Sequence, residues 1–257
     1  HNRHPYGELY RPPTLNAGMA RKPKIQQEYA AFLRAGRSNP EDLPKYYHKY
    51  YDCNSYVDYE IGRVIDAVQS HMGDDAVIIY TSDHGDHLGA FGLCAKGPTM
   101  YDHTCAVPLM INGVGRAGHR IESLASSVDL FPTILDLATV DTKDLLRPAD
   151  GHTGRSLLPL LEGDVDTVRQ EVLIEFNRFG IAHDQDDGLF PIRCIRTDRW
   201  KLVINLFDRD EFYDLANDPE ETTNLIDVAA HAAARDDLHD RLLAWQRQTR
   251  DPFRSPQ

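Results

Sequence analysis

The run Ala76-Val77-Ile78-Ile79-Tyr80-Thr81 follows a short Gly73-Asp74-Asp75 turn and breaks directly into Ser82-Asp83-His84-Gly85-Asp86-His87. A strand that is apolar on both faces needs cover on both faces, which suits the centre of a parallel sheet with helices on each side. The run therefore predicts an α/β protein. Val107 to Ile111 reads as a second short apolar strand, and between the two lie about twenty-five residues dense in Gly, His and Asp. A connection so long and so polar is uncommon unless it carries a function. In open α/β sheets, ligands bind beyond the carboxyl ends of the strands, which is where this connection starts.

Residues 1–43 are rich in Pro, Arg and Tyr and show little periodicity, so they predict an irregular lead-in with one short helix near Gln26 to Leu33. From Pro44 to His71 the pattern changes. Tyr47, Tyr50, Tyr51, Val57, Ile61, Val64, Ile65 and Val68 recur at three- and four-residue steps, predicting a long amphipathic helix with a proline in its first turn and an end near Gly73. Val128 to Ala138 is a further helix. Ser127 is its candidate cap, Pro132 sits in its first turns where it is tolerated, and Asp129 reads as a capping residue. Glu171 to Phe176 is a third strand, and Ile192 to Arg196 with Lys201 to Leu206 predict a hairpin across Asp198-Arg199. Ala229 to Thr249 is a closing amphipathic helix with Leu238, Leu242, Leu243 and Trp245 on its buried face. The order predicts a mixed sheet flanked by helices over residues 1–165 and a smaller subdomain, antiparallel strands plus one helix, over 166–257.

The length of 257 residues fits one large domain, or a main domain with an appendage, and 41% apolar residues are enough for a core. Lys and Arg total 28 against 40 for Asp and Glu, a formal charge of −12. That balance argues against a nucleic acid or an anionic membrane surface as the main partner. It leaves room for a small anionic substrate, because a local cation or metal reverses the field inside a cleft. No apolar run approaches the roughly eighteen residues of a membrane span. Cys53, Cys94, Cys105 and Cys194 show no CxxC spacing, so neither a zinc ribbon nor a redox motif is indicated. The chain starts at His1, with nothing resembling a signal peptide, and its start reads as a cut edge. Composition does not choose between a cytoplasmic and a periplasmic location, nor does it fix an oligomeric state.

Asp83 and His84 are adjacent on an exiting strand, so their side chains approach one point only if the backbone turns, and Gly85 permits the turn. A carboxylate with an imidazole is half of a divalent-metal site; equally, Asp83 caps a turn and His84 is simply exposed. Twelve residues after His84 comes Lys96, followed by Gly97-Pro98. A lysine on a rigid turn neutralises an anionic ester beside a metal, or it is an ordinary surface lysine. His87, His103, His119 and His152 read as turn or surface residues.

Taken together, several ordered stretches resemble the sulfatase family of the alkaline phosphatase superfamily. Tyr80-Thr81-Ser82-Asp83-His84-Gly85-Asp86-His87-Leu88-Gly89, then Ala95-Lys96-Gly97-Pro98-Thr99-Met100-Tyr101-Asp102 and Val107-Pro108-Leu109, resemble the family's second signature. The helix from Tyr50 to Ala67 is similar to the one preceding that signature, and Ser127 to Leu135 to the one following it. Arg196-Thr197-Asp198-Arg199-Trp200-Lys201-Leu202 and Glu211-Phe212-Tyr213-Asp214-Leu215, with Asn217-Asp218-Pro219-Glu220 after them, resemble the family's carboxy-terminal hairpin. The resemblance runs from about Tyr47 to Arg254. It implies the carboxy-terminal portion of a sulfatase, with residues 1–165 as part of the catalytic domain.

By that resemblance Asp83 and His84 are two ligands of a single divalent cation, usually calcium. Many members have Asn where this chain has His84, and the His form is similar to some bacterial sulfatases and to phosphonate monoester hydrolases, which brings in manganese. Lys96 matches the lysine that holds the sulfate oxygens. His4, in His1-Asn2-Arg3-His4-Pro5, matches the family's leaving-group histidine with a one-residue shift. The family's nucleophile is a cysteine in a Cys-x-Pro-Ser-Arg motif, converted to formylglycine, and none of the four cysteines lies in such a motif. The resemblance places it, with a pair of aspartate ligands, upstream of His1. Substrate choice is expected at the rim, where His183 in the polar stretch Asn177 to Asp187 and Arg193 are candidate substrate contacts, or else a solvated loop and a structural ion pair. The implied substrate is a small sulfate ester. Rivals are a phosphonate or phosphate ester hydrolase of the same superfamily, and a non-catalytic binding protein should the chain be complete.

Overall fold

The computed structural model describes residues 11–36, 43–141, 146, 151–178 and 188–253. They divide into two compact units, one of His1–Ala20 with Ile25–Gly113 and one of Arg21–Lys24 with Val114–Gln257. This division falls earlier than the change of sequence character near residue 165. Among the described residues no helix is long and apolar enough to cross a membrane.

Helix α1 spans Lys24–Gly36, all but its first residue in the first unit, and helix α2 of that unit spans Leu43–Met72. The three- and four-residue spacing of α2 puts Tyr47, 1% exposed, against the interior, and Gly73, with φ +59°, ends the helix in the left-handed region. Strand β1 (Ile78–Thr81) pairs with β2 (Leu109–Asn112), with Ile79 opposite Ile111 and Tyr80 opposite Met110. The pairing is antiparallel, and among the described residues β1 has no parallel neighbour. The apolar run indicates that both faces want cover; it carries no information on the direction of the neighbour. Helix α3 (Asp102–Cys105) lies on the connection between the strands.

The core of this unit is made largely by that connection. Ala90, Phe91 and Leu93 are fully buried, and Phe91 stacks on Tyr101 with ring centroids 4.6 Å apart. His87, expected at a turn or surface, is fully buried as well, with Nε2 2.9 Å from Thr99 Oγ1. A loop that contributes its own core side chains has a fixed shape, which polar composition alone does not reveal.

The second unit contains α4 (Leu130–Leu137), α5 (Leu158–Glu162) and a four-stranded antiparallel sheet in the order β3 (Val172–Arg178), β4 (Leu189–Arg196), β5 (Trp200–Asn205), β6 (Glu211–Asp214). The predicted hairpin is β4–β5, closed by Thr197 N donating to Trp200 O at 2.8 Å. Helix α6 (Ala232–Thr249) covers the sheet with Leu238 and Leu242, which join Ile195, Leu202, Ile204 and Phe212 in one apolar cluster. Each such side chain contributes about 1.5–3 kcal/mol by leaving water. Trp245 packs against the cluster, but Leu243 is only partly buried. Gln246 is buried in its stead, with Nε2 donating to Asp251 Oδ2 at 3.0 Å. At the start of α4 the cap is Ser126 rather than Ser127. Ser126 and Asp129 form a capping box around the turn Ser127–Asp129, and the buried Asp129 also pairs with Arg169.

Candidate active site

Strand β1 delivers Ser82, Asp83 and His84 at its carboxyl end, and the connection folds back so that Lys96 reaches the same place. Lys96 Nζ lies 2.6 Å from His84 Nε2, and His84 Nε2 lies 3.4 Å from Asp83 Oδ2. The three residues singled out from the sequence thus meet at one point. The Asp83 carboxylate is largely exposed; Oδ1 accepts the His84 backbone N–H at 2.9 Å and the Ser82 hydroxyl at 3.3 Å. The His84 N–H, first among these, holds the carboxyl below its ordinary range, so it is an anion at neutral pH.

The imidazole is oriented by its neighbour. His84 Nδ1 lies 2.9 Å from the Gly85 carbonyl oxygen. A carbonyl only accepts, so Nδ1 carries the proton and Nε2 of the neutral ring presents a lone pair. That lone pair and Asp83 Oδ2 face each other, and Lys96 donates to the first. A carboxylate oxygen and an imidazole nitrogen at one point, with the other ring nitrogen on a carbonyl, are donor types that suit part of a divalent-cation shell. Asp83 and His84 therefore fit as part of a metal shell. Among the described residues no group of three or more His, Cys, Asp or Glu side chains is placed to complete one.

The backbone around Lys96 is held from several sides. Asp86 Oδ1 accepts from Leu88 N at 2.7 Å and Ala95 N at 2.9 Å, while its Oδ2 accepts from the Tyr46 hydroxyl at 2.9 Å. His87 N donates to Ala95 O at 2.9 Å, and the Tyr29 hydroxyl donates to Lys96 O at 2.7 Å. Gly97 lies so close to the Tyr29 ring that a Cβ there would come within 2.5 Å of it. Gly85 packs against the His103 backbone, which leaves no room for any side chain. Leu88, Phe91 and Ala95 all have positive φ, at +48°, +55° and +56°, a strain of order 1–3 kcal/mol each that the surrounding contacts must hold in place.

Of the other candidates, His4 and His183 lie outside the described residues. Arg193 is on β4 with its side chain 1% exposed, and its Nε and Nη2 donate to the two carboxylate oxygens of Asp251 at 2.6 and 2.8 Å. Its Nη1 donates to Asn177 Oδ1 at 2.7 Å. These groups engage the guanidinium inside the second unit. Sequence reasoning passed over Asp86, Tyr46 and Tyr29. Asp86 stands inside the signature, but its three donors meet only in the folded chain.

A family sequence profile described as Sulfatase matches residues 12–140. The chain belongs to the sulfatase family. A second profile, described as N-sulphoglucosamine sulphohydrolase, C-terminal, matches residues 89–248 of this sulfatase chain. Among curated proteins, it is 39% identical over 240 residues to the uncharacterized sulfatase YidJ of Escherichia coli K12, covering 93% of this chain and 45% of that protein. Among solved structures it is similar to BT4656 in complex with its substrate D-glucosamine-2-N,6-O-disulfate, at 28% identity and a TM-score of 0.71, covering 86% of this chain and 45% of that one. It is also similar to the phosphonate monoester hydrolase of Agrobacterium radiobacter, at 31% identity and a TM-score of 0.69, covering 81% and 42%. This sulfatase chain thus spans about half the length of the relatives it matches.

Proposed function

We propose that the protein is a metal-dependent sulfatase that hydrolyses small sulfate esters, with Asp83 and His84 contributing two ligands to a calcium or manganese ion. The carrying observation is the convergence of Asp83 Oδ2, His84 Nε2 and Lys96 Nζ at the end of β1. A bound divalent cation would supply Lewis-acid stabilisation of the ester oxygens, and a formylglycine outside these 257 residues would supply the nucleophile. The chain's own part is electrostatic. Asp83 stays ionised because it accepts the His84 N–H, and the Gly85 carbonyl fixes the ring so that the Nε2 lone pair, which meets Lys96 in this structure, would be the one to hold a cation. Lys96 places a full positive charge where the ester's negative oxygens gather, and a fixed ammonium needs no reorganisation as charge moves to the leaving oxygen.

The similarity to a phosphonate monoester hydrolase, with His84 where many sulfatases have Asn, supports a second reading in which a phosphonate or phosphate ester is the substrate. The two share charge and geometry at the reacting centre, so rates decide between them. In the full-length protein, Lys96→Ala is expected to lower kcat for an aryl sulfate by about 10²–10³-fold. Chelation is expected to abolish turnover, and calcium or manganese to restore it. Unchanged turnover in Lys96→Ala would sink the site assignment. A phosphonate monoester turned over faster than the aryl sulfate would give the second reading priority.

A further inference from the structure

We infer that Asp86 and Tyr46 are positioning residues for Lys96, fixing the backbone from which its ammonium reaches the site. The inference rests on the reading of Lys96 as the group that meets the anionic ester.

The observations lie within the first unit. Asp86 stands two residues after His84, and one of its oxygens accepts both Leu88 N and Ala95 N, the two ends of a tight loop. Both residues have left-handed backbone, which a non-glycine side chain disfavours, so their N–H groups stay aimed at one point only if something there receives them. A carboxylate oxygen has the lone pairs to do so. Ala95 directly precedes Lys96, so the bond that pins Ala95 also sets where the lysine leaves the chain. The second oxygen of Asp86 is anchored by the Tyr46 hydroxyl from α2, a long helix that gives the loop a rigid reference. Burial and the adjacent Asp86 push the Tyr46 phenol far above its ordinary range, so it remains a donor at any working pH. The one carboxylate, itself two residues beyond a metal-ligand candidate, thereby ties together a helix, Leu88 and the residue before the lysine.

The test uses the full-length protein with Asp86→Ala, Asp86→Asn, Tyr46→Phe, Lys96→Ala and the Asp86→Ala/Lys96→Ala double variant. Two measurements are independent of turnover: residue-resolved amide exchange at Leu88 and Ala95, and the rate of amine labelling at Lys96. Asp86→Ala is expected to speed exchange at Ala95 by about tenfold or more and to change the Lys96 labelling rate. Asparagine keeps an oxygen for the two N–H groups, and its amide can donate to Tyr46, so Asp86→Asn should restore most of both. With an aryl sulfate, Asp86→Ala should lower kcat by about tenfold with little change in KM, and should cost less than about threefold more in the Lys96→Ala background. A merely structural role would give additive losses. Should Asp86→Ala fail to fold, Tyr46→Phe, which removes one hydroxyl, carries the same signs with smaller size. The proposal is overturned if exchange at Ala95 and labelling at Lys96 are unchanged in the folded variants, or if the Asp86→Ala loss persists in full without Lys96. A wild-type protein that hydrolyses no sulfate ester would overturn the sulfatase reading, while exchange and labelling would still decide the positioning.

Discussion

His84 and His87 sit three residues apart and have opposite fates. His84 stays partly exposed, with one nitrogen on a carbonyl and the other directed at Lys96. His87 is fully buried; desolvation first, and the neighbouring His103 second, lower its pKa from 6.5 to about 3. It therefore stays neutral in the folded chain while the unfolded chain takes up a proton below 6.5. Stability is lost as pH falls from 6.5 toward 3, by up to about 1.4 kcal/mol per pH unit from this residue. His87→Gln, which retains a polar group for Thr99, is expected to flatten that acid limb in urea titrations between pH 7 and 4. An unchanged slope would show that His87 is not the group responsible.

Among the elements, the sheet of the second unit is tied to the chain beyond α6 by a buried ion pair. The side chains of Arg193 on β4 and Asp251 are each 1% exposed and joined by two hydrogen bonds, and Gln246 of α6 donates to the same Asp251. Removing Arg193 leaves the Asp251 carboxylate buried without its cation, a cost of about 3–5 kcal/mol, whereas Arg193 without Asp251 keeps Glu175 at 3.5 Å. Arg193→Met is expected to lose that much in equilibrium unfolding, and Arg193→Met/Asp251→Leu distinctly less than the sum of the two single changes. Additive losses would mean that the two charges do not act as a pair. The loop from Asp86 to Lys96 follows the same logic, since its shape comes from core side chains, backbone bonds and the Asp86 carboxylate rather than from a regular element.

Over the whole molecule, four residues near the amino terminus belong with the carboxy-terminal unit. Lys22, 3% exposed, donates to the Tyr213 hydroxyl at 2.8 Å and to the Glu221 carbonyl, and Tyr213 in turn donates to Glu211 at 2.5 Å. Burial lowers the Lys22 pKa from 10.5 to about 8, partly offset by Glu211 and Glu221. Between pH 8 and 10.5 the unfolded chain holds a proton that folded Lys22 has released, so this residue makes stability rise with pH there, by up to about 1.4 kcal/mol per unit. Lys22→Met is expected to destabilise the second unit at pH 7 and to remove that rise; a variant with the wild-type pH dependence would refute the assignment. The amino-acid sequence alone determined the family, the long helix α2, the β4–β5 hairpin and the identities Asp83, His84 and Lys96, because hydrophobic period and contiguous motifs are local properties. Tertiary structure alone decided the antiparallel pairing of β1, the burial of His87, the internal pairing of Arg193 and the role of Asp86. Each of these depends on which distant groups arrive beside a residue, and neither the periodicity nor the charge of a segment specifies its partner.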